Sequence, residues 1–189
     1  MKQSFIITLF ILLLAACGGQ EATATPVAAY NIVRPAELEP GDTVPVPVSD
    51  VILTLTGQIN QTNVADTLQF DMESLEKVGL VEYTVEDKQA EGGTVMFQGV
   101  LLSDLLAVAG MSQTAITLNM TALNDYSVAI PVNDALDYPL LLATAVNGER
   151  MTVARYGPTR IIYPYHAYDL DETIYDPRWI WQLATIDVR

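Results

Sequence analysis

The stretch that decides the fold is LLLATAVNGERMTVARYGPTRIIYP, which runs from Leu140 to Pro164. It opens with an apolar run that reaches Asn147-Gly148, a pair that readily takes the positive φ angles of a two-residue turn. The first part of the stretch therefore predicts a β-hairpin. Gly157-Pro158 then predicts a turn, and the segment TRIIYP that follows it predicts another strand.

Strands and short helices alternate on both sides of this stretch. Alternating apolar residues predict strands in VILTLTGQI (51–59), VEYTVED (81–87), TAITLNMTAL (114–123), YSVAIP (126–131) and WIWQLATIDV (179–188). Helical spacing predicts helices in FDMESLEKVG (70–79), LLSDLLAVAG (101–110) and VNDALDYP (132–139). Because these helices are too short for parallel βαβ units, we predict a mixed α+β fold with more strand than helix.

The N-terminal residues have the order of a bacterial export signal. Lys2 precedes an apolar run from Phe5 to Leu14, and Leu14 to Cys17 read LAAC. This segment closely resembles the lipobox of bacterial lipoproteins, and the resemblance implies removal of residues 1–16 and diacylation of Cys17. An ordinary secretory signal with an incidental cysteine is the alternative. In both cases we expect an extracytoplasmic protein, and with the lipid we expect attachment to the bacterial membrane on its periplasmic side or at the cell surface.

The rest of the chain divides into a linker and one domain. Residues 17–50 are rich in Ala, Thr and Pro, which predicts a flexible tether behind the lipidated cysteine. Residues 51–189 have the length and the apolar content of a single domain. The sequence has no internal repeat.

The chain is strongly acidic. It has 23 Asp and Glu against 9 Lys and Arg, for a formal net charge of −14. Nucleic acid is therefore excluded as a partner, because binding a phosphate backbone requires clustered positive charge. We interpret the acidity as a contribution to solubility, with recognition of a basic partner as the alternative.

Five motifs occur in an order that is similar to a known family. They are FQGVLLSDLLAVAG (97–110), TALNDYSVAIPV (121–132), the hairpin and the TRIIYP strand of the opening stretch, and WIWQLATIDV. Together they resemble the oxidoreductase molybdopterin-binding domain, the catalytic domain of sulfite oxidases and their bacterial relatives. The likeness extends from about Leu53 to Val188. It implies a strand-rich sulfite-oxidase-like fold and makes molybdopterin the cofactor to test.

The resemblance implies a cysteine thiolate on molybdenum in the catalytic members, shortly before the GV-L-DLL helix. The corresponding stretch here is VEYTVEDKQAEGG (81–93), in which Thr84 stands nearest the expected position. Cys17 is the only cysteine of the chain and lies outside the domain. A threonine hydroxyl is a poor ligand for a metal that prefers a soft thiolate. No metal ligand and no catalytic residue can be assigned, so enzymatic activity is left open.

The candidate binding residues lie mainly in the opening stretch. Arg155, Arg160 and His166 cluster there, and the resemblance places the RYGPTRIIYP segment beside the cofactor pocket. We expect them to line a remnant of that pocket and to take a small anionic ligand, since arginine forks suit carboxylates and phosphates. Strand alternation puts Arg160 and His166 on one side. Thr84, Asn124 and Asp125 are the other candidate residues of this pocket.

Each of these residues also has a structural interpretation. Arg155 and Arg160 are equally well explained as surface arginines paired with acidic neighbours, and His166 as a hydrogen-bonded structural histidine. Asn124 and Asp125 suit a simple turn. Zinc-type Cys and His spacing, a glycine-rich phosphate loop and a G-x-S-x-G elbow are all missing from the sequence.

Three functions follow from these features. The first is a lipid-anchored, non-catalytic domain that binds a ligand or serves as an accessory protein for a redox or sensor partner. The second is a molybdopterin-dependent oxidoreductase with an unusual ligand set. The third is a protein-interaction module without a small-molecule site.

Overall fold

The structure, a computed structural model, describes residues 29–88 and 92–189, so Cys17 and the predicted signal lie outside it. The described strands are β1 (Asn31–Arg34), β2 (Leu53–Gly57), β3 (Leu68–Phe70), β4 (Leu80–Glu86), β5 (Thr94–Leu101), β6 (Thr117–Ala122), β7 (Ser127–Pro131), β8 (Leu141–Val146), β9 (Glu149–Arg150), β10 (Arg160–Ile162) and β11 (Leu183–Val188). The described helices are α1 (Met72–Glu76), α2 (Leu102–Val108), α3 (Val132–Asp137) and α4 (Glu172–Tyr175), with short 3-10 turns at Val153–Arg155 and Asp176–Arg178. The predicted strand-rich α+β class is confirmed. None of the described helices has both the length and the apolar character needed to cross a membrane.

The strands form two sheets within the described residues. One sheet has the order β1-β4-β5-β8-β10, with β9 paired to β8, and all its pairs are antiparallel. The other has the order β3-β2-β11-β6-β7, in which β2 and β11 run parallel. The buried apolar side chains join into one cluster that both sheets share. The described residues therefore fold around one core.

The opening stretch of sequence forms the centre of the first sheet. Asn147 and Gly148 have φ angles of 49° and 81°, so the predicted two-residue hairpin turn joins β8 to β9. All six residues of β8 are buried, which explains why this strand is an apolar run without alternation. The second arm is shorter than predicted, because β9 has two residues and gives way to the 3-10 turn.

A central strand, β5, was not predicted, although Val95, Phe97 and Gly99 point inward in alternation. Gly99 has a steric requirement: a Cβ atom there would lie 2.1 Å from the carbonyl oxygen of Leu142 on β8. The β5–β8 register shifts between Gln98 and Gly99. The glycine of the QGV motif thus permits the close approach of the two central strands.

Residues 31–50 do not behave as the flexible tether that the sequence predicted. β1 pairs with β4, and the side chains of Leu38 and Val44 are 8% and 3% exposed. The backbone N–H groups of Val48 and Ser49 donate to the Asp71 carboxylate at 2.9 and 3.2 Å. The packed unit therefore starts before residue 51, because apolar residues among the prolines reach the core.

The predicted N-cap of α1 is confirmed at Asp71. Its carboxylate accepts from the Ser74 backbone N–H at 2.9 Å, and the Ser74 hydroxyl accepts from the Asp71 N–H at 3.1 Å. The hydroxyl of Ser74 also donates to the carboxylate, and this hydrogen bond with the backbone donors holds the pKa of Asp71 well below its usual range. Asp71 thus ties the N-terminal segment to the start of α1.

Candidate functional site

Arg160, the first residue of β10, is buried with its charge. Its side chain is 1% exposed, and the carboxylate of Asp87 is fully buried beside it. Nη1 donates to Oδ2 of Asp87 at 2.8 Å and Nη2 donates to Oδ1 at 3.1 Å. Asp87 directly follows β4 and its backbone N–H donates to the Gly93 carbonyl at 2.8 Å. The two side chains form a bidentate ion pair inside the domain.

Three aromatic rings surround the guanidinium of Arg160. Its central carbon lies 5.3 Å from the ring centroids of Phe97 and Trp179, and 5.5 Å from that of Trp181. The backbones of Arg160 and Trp181 also pair as an isolated bridge, which holds the second tryptophan against the end of β10. The cation is stabilised by ring faces as well as by Asp87.

Donors exceed acceptors around this cation. Nε of Arg160 and Nε1 of Trp179 and Trp181 are buried and have no hydrogen-bond acceptor among the described residues. A buried donor without an acceptor is unfavourable, and most such groups in folded proteins are paired. The surroundings of Arg160 are therefore rich in N–H groups, and Asp87 supplies the carboxylate that matches its charge.

Trp179 also lines a cleft of about 340 Å³. Its polar wall carries the carboxylates of Glu86, Asp169, Glu172 and Asp176. Its other lining residues are Lys88, Tyr165, His166, Tyr168, Leu170 and Trp179. We call this space the acidic cleft, because carboxylates outnumber basic groups in its wall.

Pairing inside the acidic cleft leaves its charge negative. Lys88 donates to Oε1 of Glu172 at 2.5 Å, so its ammonium is already matched. The hydroxyl of Tyr165 donates to Oδ1 of Asp176 at 2.6 Å, and burial together with this bond raises the pKa of Tyr165. The ring of Tyr165 stacks on Trp179 at a centroid distance of 5.6 Å. An anionic group would meet a repulsive potential in this cleft.

His166 lies at the exposed rim of the acidic cleft. Its ring stacks on Tyr83 with 4.7 Å between centroids, and Nε2 is 2.7 Å from the carbonyl oxygen of Ala29. The hydroxyl of Tyr83 donates to the Ile162 carbonyl at 2.7 Å, which places this pair against the end of β10. His166 thus has structural contacts on both its face and its edge.

The predicted grouping of Arg160 with His166 in one pocket does not form. β10 ends at Ile162, and Pro164 starts a turn, so strand alternation does not continue as far as His166. Arg160 faces the buried rings and Asp87, whereas His166 lines the acidic cleft. Arg155 is also apart: its side chain is 54% exposed and lies 3.7 Å from the exposed carboxylate of Glu149.

The other predicted residues are separated too. Thr84 is exposed on β4, opposite Met96. Asp125 has a φ angle of 64° in the β6–β7 turn, as its turn interpretation expects. Asn124 borders a second cleft, of about 360 Å³, whose other lining residues are Tyr126, Asp176, Pro177, Trp179, Trp181 and Gln182.

The residues that the sequence did not point to are Asp87 and the two tryptophans. VEYTVED ends in two acidic residues, a pattern that ordinarily indicates a solvated turn. Among the described residues, the structure has no group of three or more His, Cys, Asp or Glu side chains that could hold a metal ion.

The family of the chain follows from comparison with known proteins. Residues 45–169 match the profile of the oxidoreductase molybdopterin binding domain, which is more than half of the chain. The chain belongs to this family. No curated protein matches it. Among solved structures it is similar to the sulfane dehydrogenase SoxCD from Paracoccus pantotrophus, with a TM-score of 0.55, 18% identity and 76% of this chain covered. It spans 39% of that chain, and the likeness confirms the sulfite-oxidase-like fold.

The described residues do not fit a molybdopterin cofactor. The thiolate expected from the resemblance has no counterpart, since the only cysteine is Cys17, outside the domain. A pterin phosphate needs positive partners. Arg160 is engaged by Asp87, and the acidic cleft carries four carboxylates beside one lysine. The unpartnered donors around Arg160 are the one feature here that suits an acceptor-rich group.

Proposed function

We propose that this protein is an extracytoplasmic, lipid-anchored member of the family that does not catalyse molybdenum chemistry. It acts as an accessory or ligand-binding protein in a redox or sensory system. The family membership supports the domain type. The residues around β10 support the loss of catalysis.

One observation carries this proposal: the buried ion pair of Arg160 with Asp87. The resemblance places the strand of Arg160 beside the cofactor pocket, where a basic side chain would face an anionic group. Here both guanidinium Nη atoms donate to a carboxylate of the same chain. An arginine whose charge is matched internally attracts an external phosphate only weakly, because the pair is close to neutral as a whole.

Elemental and pterin analysis tests the absence of the cofactor. The full chain is purified from a host that makes molybdopterin, beside a catalytic member of the family expressed in the same cells. We expect no stoichiometric molybdenum or pterin in this protein and about one molybdenum per chain in the control. About one molybdenum per chain in this protein would instead establish the alternative function, an oxidoreductase with an unusual ligand set, which family membership favours.

The membrane anchor rests on Cys17 and the residues before it. A diacylated cysteine supplies the two hydrocarbon chains that stable anchoring needs. Cys17→Ser should therefore move the protein from the membrane fraction to the soluble or secreted fraction. Thr25→Ser, a hydroxyl substitution in the same N-terminal region, is the control and should stay in the membrane fraction. Unchanged membrane association of the Cys17→Ser variant would contradict the anchor.

A further inference from the structure

The buried charge of Arg160 requires an anion. Arginine keeps its proton at every pH at which proteins fold, so burial cannot neutralise it. With 1% of its side chain exposed, the guanidinium has almost no access to water. A charge in this position is stable only when a partner of opposite sign is fixed beside it.

Asp87 supplies that anion with the geometry of a bound ligand. Its two oxygens face the two Nη atoms in parallel, the arrangement that a free carboxylate takes on an arginine fork. The walls are the rings of Phe97, Trp179 and Trp181. Nε of Arg160 and the two indole N–H groups are buried but reach no acceptor among the described residues, so the two Nη atoms are the donors that hold the carboxylate. A paired guanidinium fork between apolar walls can serve as an enclosed oxyanion site.

The other arginine pairs of the domain differ in exposure. Glu76 is buried, but its partner Arg150 is 51% exposed and can be hydrated when the carboxylate is removed. Arg178, which pairs with Asp134, is 22% exposed. Among the ion pairs of the described residues, the one between Arg160 and Asp87 has both side chains almost completely buried.

We propose that Arg160 forms an oxyanion site whose occupant is the carboxylate of Asp87, and that this site takes a small free carboxylate once Asp87 is shortened. This inference rests on the proposed function. In a protein without the cofactor, the carboxylate of Asp87 occupies the position beside Arg160 that would otherwise attract an external anion. Asp87 is a positioning residue, because it acts by holding the guanidinium of Arg160.

Two truncations of Asp87 test the site with ligands of matched size. Asp87→Ala removes a carboxylate, and formate replaces the atoms that are lost. Asp87→Gly also removes the side-chain methylene, and acetate replaces the methylene and the carboxylate together. The full-length variants and the wild-type chain are melted in formate, acetate or chloride at one pH and one ionic strength. The readout is the melting temperature.

The expected result is a reversal of anion preference between the two variants. Formate should raise the melting temperature of Asp87→Ala by about 5 °C over chloride, and acetate should do the same for Asp87→Gly, because a ligand that binds only the folded state stabilises it. The wild-type chain should respond to neither anion. Glu76→Ala, the matched control, should also respond to neither, because water can reach Arg150.

Several results would overturn the proposal. One is an equal response to carboxylate and chloride in both Asp87 variants. Another is a response of Glu76→Ala as large as that of Asp87→Ala, which would be a general salt effect. Failure of both Asp87 variants to fold even in the matching carboxylate would overturn it too. Molybdenum content is measured on the wild-type chain, so the failure of this proposal and that of the proposed function are distinguishable.

Discussion

Arg160 and His166 are six positions apart in the sequence, yet they lie in regions of opposite character. Arg160 is a cation buried among three rings and matched by one internal carboxylate. His166 lies at the rim of a cleft whose wall carries four carboxylates. Arg160, which was expected to bind a ligand, therefore pairs with a carboxylate inside the domain. The open cleft beside His166 is acidic instead. The acidic cleft beside His166 therefore does not match the anionic ligand predicted from the sequence.

The largest effect should come from removing the buried cation. Arg160→Leu removes the cation that is paired with the buried Asp87 carboxylate, and the free energy of unfolding should fall by about 3–5 kcal/mol. Arg155→Leu, five positions earlier on the exposed side, should change it by about 0.5 kcal/mol or less. Urea unfolding followed by fluorescence of Trp179 and Trp181 measures both. Equal losses of unfolding free energy in the two variants would show that burial of Arg160 does not make it more important for stability than the exposed Arg155.

A smaller loss is expected at the half-buried pair of Glu76 and Arg150. Glu76→Gln keeps the size of the side chain but removes its charge, while the half-exposed Arg150 regains water. We expect a loss of about 1.5–3 kcal/mol, below that of Arg160→Leu, because hydrogen bonds to a charged group contribute about this much. Urea unfolding checks the order. A loss at Glu76 larger than at Arg160 would show that burial of the arginine is not what matters.

Acid should weaken the domain through Asp71 and Glu76. Hydrogen bonds from Ser74 and nearby backbone lower the pKa of Asp71. Burial alone would raise the pKa of Glu76, but its contacts with Arg150, Thr144 and Arg34 lower it overall. Since both folded-state pKa values lie below the unfolded ones, this stabilisation is present above about pH 5 and is lost as the pH falls through the folded-state values.

Melting temperatures measured from pH 7 to pH 3 check this direction. The wild-type curve should be flat near neutrality and should fall below about pH 4.5. Asp71→Asn should be less stable at pH 7 and should lose less on acidification, since the group that binds the extra proton is gone. A wild-type domain that gains stability on acidification would contradict the assignment.

The smallest effect is expected at His166. His166→Ala removes a ring stacked on Tyr83 and the contact with the Ala29 carbonyl, both at an exposed position. We expect a loss of about 1 kcal/mol or less. His166→Phe keeps the stacking and loses the hydrogen bond, so it should fall between the wild type and His166→Ala. A loss comparable to that of Arg160→Leu would show that His166 contributes to stability as much as a buried core residue does.

The sequence was sufficient for the fold because the fold depends on local signals. The Asn147-Gly148 turn, the Asp71 cap and the apolar run of β8 each act within a few residues. The N-terminal boundary of the packed domain was harder to predict from the sequence. Prolines between positions 26 and 47 suggested a tether, whereas Leu38 and Val44 reach the core.

The site could not be derived in the same way, because it depends on pairing across the fold. Asp87 and Arg160 are separated by 73 positions. They belong to β10 and to the end of β4, two strands of one sheet that β5 and β8 separate. Strand alternation along VEYTVED puts Asp87 on the inward side with Tyr83 and Val85, and Glu86 on the outward side. Charge composition nevertheless favoured a solvated carboxylate, and only the tertiary contact shows which cation pairs with Asp87.

A double-mutant cycle on Asp87 and Arg160 tests the central claim most directly. The free energies of unfolding of Asp87→Leu, Arg160→Leu and the double variant are compared with that of the wild-type chain. We expect the double variant to lose less than the two single losses combined, by about 2 kcal/mol or more, because each single change removes the opposite charge from a buried ionised side chain. Losses that add to within about 0.5 kcal/mol would show that Asp87 is not the partner that neutralises Arg160.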